Sequence, residues 1–184
     1  MRSGYGFILT LFLVFSVLST ACISEDIPEN APVGVNTAQA GVLIQNIGDI
    51  TGQGVILEGV PRGTIDTVTF TVGLAQGVKS IDLNNMTIVY TDAVRTETFS
   101  PVEGYRGNPH PGYWGIIDTI NPVGDPNLRL EYEEQVTLRI NPKAAVVPNQ
   151  VITISIKPRE GKPLILRHIA PTTIGVGDII LPGL

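Results

Sequence analysis

Cysteine is nearly missing from this chain: Cys22 stands alone among 184 residues, so no intramolecular disulfide forms and no thiol cluster exists for zinc or an iron–sulfur centre. Histidine is almost as scarce. His110 lies in NPHPGYWG and His168 in LILRHIAP, with no nucleophile elbow of the G-x-S-x-G type beside either, so both read as ordinary loop and strand residues. Basic residues are outnumbered by acidic ones, twelve to seventeen, and the net charge of −5 lacks the basic face that nucleic-acid phosphates need. The chain also lacks internal repeats and low-complexity tracts. These absences exclude whole classes of function: no enzyme, no cofactor, no metal, no nucleic acid and no small-molecule substrate is expected.

One long hydrophobic run is present, and it is N-terminal. In MRSGYGFILTLFLVFSVLSTACI the residues from Tyr5 to Ile23 carry no charge. The run is close to the ~20 residues that cross a bilayer and longer than most signal cores. After it comes SEDIPENAPVG, where Pro28 and Pro32, followed by Gly34, stop a helix at about residue 27. Residues 28–59 read as a linker and an extended region, or a broken helix.

Beyond Pro61 the pattern is that of strands. Val68, Phe70, Val72 and Leu74 alternate with Thr67, Thr69, Thr71 and Gly73, so one face is buried and the other wet. Similar short runs follow at MTIVYTD, AVRTETFS, QVTLRI, QVITISIK, PLILRHIA and GDIILPG, with Gly, Pro, Asn or Asp between them. The expected fold is mainly β, a two-layer antiparallel β-sandwich over residues 60–184, with an N-terminal hydrophobic α-helix over residues 5–27. The Pro- and Gly-rich segment from Glu103 to Asn127 reads as a long surface loop holding one short strand at YWGII.

Several stretches imitate sites. GLAQGVKS ends like a phosphate-binding loop, but Val78 occupies the place of the last glycine and a strand follows where a helix is needed, so it reads as a turn. Asp118, Asp125, Glu131, Glu133 and Glu134 lack the spacing of a calcium loop and read as a solvated acidic surface. Tyr105, Tyr113 and Trp114 are equally readable as a contact surface or a core cap. Asn85 opens NMT, the glycosylation acceptor triplet of this chain, at the start of a strand.

Two blocks resemble the archaellins, the subunits of the archaeal swimming filament. GTIDTVTFTVGLAQGVKSIDLNNMTIVYTD, residues 63–92, is similar to that family's opening strand pair, with its "IDL" step into a strand ending in Tyr and Thr-Asp. VVPNQVITISIKPREGKPLILRHIAPTTIGVGDIILPGL, residues 146–184, is similar to its closing region. The resemblance implies an immunoglobulin-like sandwich on the surface of an extracellular filament and an apolar helix packed in its core. It also implies a class III signal over residues 1–4, cut between Gly4 and Tyr5, which leaves Phe7, Ile8, Leu11, Phe12, Val14, Phe15 and Leu18 as filament-core residues. The implied partners are other copies of the chain or related subunits, with transient membrane insertion before assembly.

The apolar run admits another reading. Arg2, a core from Phe7 to Leu18 and the small residues Ser19 and Ala21 also compose a secretory signal, and a lipoprotein version would modify Cys22. Discarding the run would leave a secreted or membrane-anchored binding module. Retaining it leaves apolar side chains that must meet other helices or lipid.

Overall fold

The structure is a computed structural model that describes residues 41–184, apart from 60–61 and 125–126. The described chain is mainly β. Its strands are β1 (Ile44–Val55), β2 (Thr64–Leu74), β3 (Ser80–Asp82), β4 (Thr87–Thr91), β5 (Thr96–Arg106), β6 (Tyr113–Ile120), β7 (Arg129–Glu131), β8 (Gln135–Asn141), β9 (Val151–Lys157), β10 (Leu164–Ile169) and β11 (Gly177–Ile180). Nine of them form one sheet in the order β10-β9-β4-β5-β6-β8-β2-β1-β11, and β3 pairs with β7 beside it. The region expected to hold the apolar helix lies outside the described residues.

Alternation explains which residues face inward. Val68, Phe70 and Val72 of β2, Val136, Leu138 and Ile140 of β8, and Ile152, Ile154 and Ile156 of β9 are all buried. The threonines between them stay half-exposed, and Thr71 and Thr137 share a hydrogen bond of 3.0 Å across the β2–β8 pair. Burying so many branched side chains on one concave face supplies the drive to curl the sheet.

The curl runs through β5. Its first part, to Phe99, pairs with β4, and its second part, from Ser100, pairs with β6. Pro101 sits near the handover, where a missing N–H and a fixed φ suit a bend better than a continued ladder. The free edges of the sheet are drawn together at both ends. Lys162 N donates to Gly41 O at 2.9 Å on one side; on the other, Ile169 N donates to Pro182 O and Leu184 N to Arg167 O, each at 3.0 Å.

Three features differ from the pattern reading. The sandwich is a single curled sheet, and its β5–β6 pairing is parallel rather than antiparallel. The segment from Glu103 to Asn127 is not a surface loop. It contains the end of β5 and the whole of β6, and β6 lies inside the sheet between β5 and β8. The glycines that suggested a loop do other work: Gly107 and Gly112 take positive φ values that reverse the chain. Gly115 lets β6 meet the returning backbone, since a Cβ there would lie 2.2 Å from Gly107 O. The sheet also begins earlier than Pro61, because β1 pairs along its length with β2. GLAQGVKS is a turn, closed by Val78 N donating to Ala75 O at 3.1 Å with Gly77 at positive φ, and it leads into β3.

Candidate functional site

The two histidines of the chain sit apart, each with its own contacts. His168 Nδ1 lies 2.7 Å from Leu181 O, which fastens β10 to the segment after β11, and the His110 ring packs on the Tyr113 ring at 3.7 Å between centroids. Neither imidazole meets a serine or a carboxylate within the contacts it makes there. Among the described residues no group of three or more His, Cys, Asp or Glu side chains is placed to hold a metal ion. The acidic residues expected to be solvated are divided in their roles. Glu134 is buried and its Oε2 accepts from Glu131 N at 3.0 Å, whereas Glu133 is exposed.

The aromatic trio resolves into core rather than contact surface for its largest member. Trp114 is fully buried and pairs with Ile140 across β6–β8. Tyr105 packs edge-on against it at 5.7 Å between centroids and donates its hydroxyl to Asn84 O at 3.1 Å. Tyr105 holds a φ of +62°, which costs an aromatic residue energy and is retained because these two contacts fix it.

That second contact reaches the turn bearing the glycosylation triplet. Asp82 caps the single turn of 3-10 helix Leu83–Asn85, its Oδ1 accepting from Asn84 N at 2.9 Å and Asn84 Nδ2 at 2.8 Å. The Asn84 amide bond holds the Asp82 carboxyl below its ordinary value. Leu83 and Met86 are buried, so the turn is pinned from within while Asn85 and Thr87 point outward. An acceptor asparagine with its hydroxyl residue two positions on is thereby exposed.

The most connected polar group lies at the β4–β5 turn, and no sequence motif announced it. The Asp92 carboxylate, with no exposed side-chain area, accepts from Tyr90 OH at 3.0 Å, Gln150 Nε2 at 2.7 Å, Val94 N at 2.9 Å and Arg95 N at 3.0 Å. Arg95 Nε completes the cluster, 3.0 Å from Asp92 and 3.1 Å from Glu97. Burial opposes the charge on Asp92, but the Val94 amide, the tyrosine hydroxyl, the Arg95 amide and the guanidinium outweigh it and hold its carboxyl below the ordinary value. Tyr90 is shifted the other way, upward, chiefly by burial. The cluster ties the β4–β5 turn to the β8–β9 loop, because Arg95 also donates to Ala144 O at 2.6 Å.

Asp92→Asn is expected to destabilise the domain by about 2 kcal/mol at neutral pH, since Arg95 keeps Glu97 but loses its buried partner. Because the folded carboxyl titrates lower than the unfolded one, its stabilisation is complete above the ordinary aspartate value of about 3.9 and is lost as pH falls through the lower folded value. Urea unfolding at pH 7 and pH 3 checks this. A gap between wild type and variant that does not shrink at low pH would contradict it.

The expected filament-core residues Phe7, Ile8, Leu11, Phe12, Val14, Phe15 and Leu18, the expected cut between Gly4 and Tyr5, and the alternative lipidation residue Cys22 all lie outside the described residues.

The archaeal-type flagellin family matches residues 32–168 of this chain. None of the curated proteins compared with it matches. Two solved structures share the fold at low identity. The crystal structure of archaeal flagellin FlaB1 from Methanocaldococcus jannaschii aligns with a TM-score of 0.57 at 16% identity, over 75% of this chain and 95% of that one. The archaeal flagellum of Methanospirillum hungatei strain JF1 aligns with a TM-score of 0.52 at 19% identity, over 75% of this chain and 71% of that one.

Proposed function

Because the chain belongs to the archaeal-type flagellin family, it is a structural subunit of the archaeal swimming filament, and we propose that it assembles through the apolar run from Tyr5 to Ile23 while its β-domain faces outward. The family match over residues 32–168 carries the subunit role, and it covers most of the β-domain. The apolar run supplies what the β-domain lacks, a surface that water rejects on every side and that identical copies can bury together. Before assembly the same run resides in lipid, where a helix satisfies its own backbone. The partners are other copies of the chain, and the role calls for no catalysis, cofactor or small-molecule substrate. Motility requires only that the assembled subunits transmit rotation.

Asn85 supports an outer position for the domain, since it is exposed on a pinned turn and followed by exposed Thr87. We assign it as the attachment point of an N-linked glycan. The chain is expected in the filament fraction sheared from the cell surface, with excess mass on the peptide containing Asn85 that disappears in Asn85→Gln. Absence from that fraction would remove the filament role; presence without excess mass would remove only the glycan.

A further inference from the structure

A hollow of about 230 Å³ opens beside the Asn85 turn, walled by segments far apart in the sequence. Ser80 and Asp82 come from β3, Arg129 from β7, Leu43 from the stretch before β1, and Pro158 and Arg159 from the β9–β10 hairpin.

These walls are fixed in place. β3 and β7 pair through Ser80 and Glu131, Ile81 and Leu130, and Asp82 and Arg129, and Arg129 Nη2 donates to Ser80 Oγ at 2.6 Å. The hairpin is tied to the stretch before β1 by Lys162 N donating to Gly41 O at 2.9 Å, and a Cβ on Gly161 would lie 2.7 Å from Leu43 Cγ. A hollow shaped before its occupant arrives loses little entropy on filling.

The lining is amphipathic. Leu43 and Pro158 offer carbon, Ser80, Arg129 and Arg159 offer donors, and the two guanidinium groups are matched by the carboxylates of Asp82 and Glu160. Balanced charge of this kind gives little net pull on a free ion and suits a neutral ring with hydroxyls at its edge and C–H groups on its face. The volume lies below the about 300–1,000 Å³ of sites that enclose a whole small ligand, so it fits one ring of a chain that continues outward.

The Asn85 side chain is turned toward one of these walls. The Asn84 backbone amide is the main reason that the Asp82 carboxyl titrates low, and the Asn85 side-chain amide adds a hydrogen bond in the same direction. A side-chain amide carries two N–H groups, and an N-linked sugar replaces one of them, so the other can keep the bond to Asp82. That bond aims the linkage at the hollow. On the other flank, Thr87 of the acceptor triplet sits opposite Lys157, the last residue of β9 before the hairpin.

We propose that this hollow seats the first sugar of a glycan on Asn85, a neutral hydroxyl-bearing ring lying on Leu43 and Pro158 with Arg129 and Arg159 at its hydroxyls. The inference rests on the assignment of Asn85 as a glycan attachment point, and it adds where that glycan lies. Seated there, the sugar bridges the β3–β7 pair and the β9–β10 hairpin, which belong to different sheets.

Hydrogen exchange read by mass spectrometry tests the seat on the full chain, recovered from the cell surface and dispersed in detergent as single subunits. Wild type is compared with Asn85→Gln and with Thr87→Ala, which abolishes the acceptor triplet but keeps the Asn85 side chain. With glycan mass present on the wild-type Asn85 peptide, the amides of residues 159–162 and 80–82 are expected to exchange several-fold more slowly than in either variant, while those of β8 do not differ. Arg129→Ala is expected to speed hairpin exchange in the glycosylated chain and to leave it unchanged when combined with Thr87→Ala. Equal exchange in glycosylated wild type and Thr87→Ala would overturn the seat and leave the glycan standing. No added mass on the Asn85 peptide would remove the glycan itself, and the seat with it. Faster hairpin exchange from Arg129→Ala with and without the glycan alike would overturn the placement of the sugar against Arg129.

Discussion

Deleting residues 5–23 is expected to abolish filaments and leave a β-domain that still unfolds cooperatively. The buried apolar residues of the described structure run from Ile44 to Leu181, so the deletion removes none of them. What it does remove is Phe7, Leu11, Phe12, Phe15, Leu18 and their neighbours, a stretch that contributes about 1.5–3 kcal/mol per large side chain wherever it becomes fully buried. Electron microscopy and a thermal melt of the truncated chain check the two halves separately. Filaments of normal length from the truncation would take the assembly role away from the apolar run, and a melt without a transition would show that the β-domain depends on it.

Trp114→Ala is expected to cost about 3–5 kcal/mol, the range for removing a large aromatic from a well-packed core. Trp114 is fully buried on β6, a strand flanked by neighbours on both sides, so a cavity there cannot collapse by shifting an edge. Tyr105 would lose its edge-on partner as well, and with it part of what holds its strained backbone and the Asn84 turn. A fall in Tm of roughly 10 °C is the corresponding observable for a chain of this size. Trp114→Phe is expected to cost less, because the buried indole N–H has no hydrogen-bond partner among the described residues and its loss leaves no acceptor stranded. Equal destabilisation by both substitutions would show that the indole N–H is satisfied after all. A loss below 1 kcal/mol for Trp114→Ala would contradict the burial itself.

The strands that were legible in the sequence are those whose inward positions carry branched or aromatic side chains. β2, β8 and β9 alternate plainly, because Val68, Phe70 and Val72, Val136, Leu138 and Ile140, and Ile152, Ile154 and Ile156 fill their alternate buried positions. β1 alternates too in its second half, but the buried positions there are Ile50, Gly52 and Gly54. Glycine stands there because Ile65 and the loop before β11 occupy the space a side chain would need, with a Cβ on Gly52 lying 2.6 Å from the Ile65 side chain. A packing requirement therefore erased the hydrophobic period that would have announced the strand. The starts of β5 and β6 were legible at AVRTETFS and YWGII, but the end of β5 and the place of β6 inside the sheet were hidden by similar composition. Pro101, Gly104, Gly107, Pro109, Pro111, Gly112 and Gly115 resemble loop composition, yet they serve a bend, a reversal and a close backbone approach inside the sheet.

Functional surfaces were legible in proportion to how local they are. The Asn85 triplet is contiguous, and the structure adds only its exposure. The Asp92 cluster joins residues 90, 92, 95, 97 and 150, whose proximity comes from the β4–β9 pairing rather than from any motif.

The measurement that bears most directly on assembly is N-terminal sequencing, with intact mass, of the chain recovered from surface filaments. The expected start is Tyr5, with the whole apolar run retained in the assembled subunit. A start at Cys22 with added lipid mass, or at any residue beyond it, would mean that the run is discarded and that something else holds the copies together.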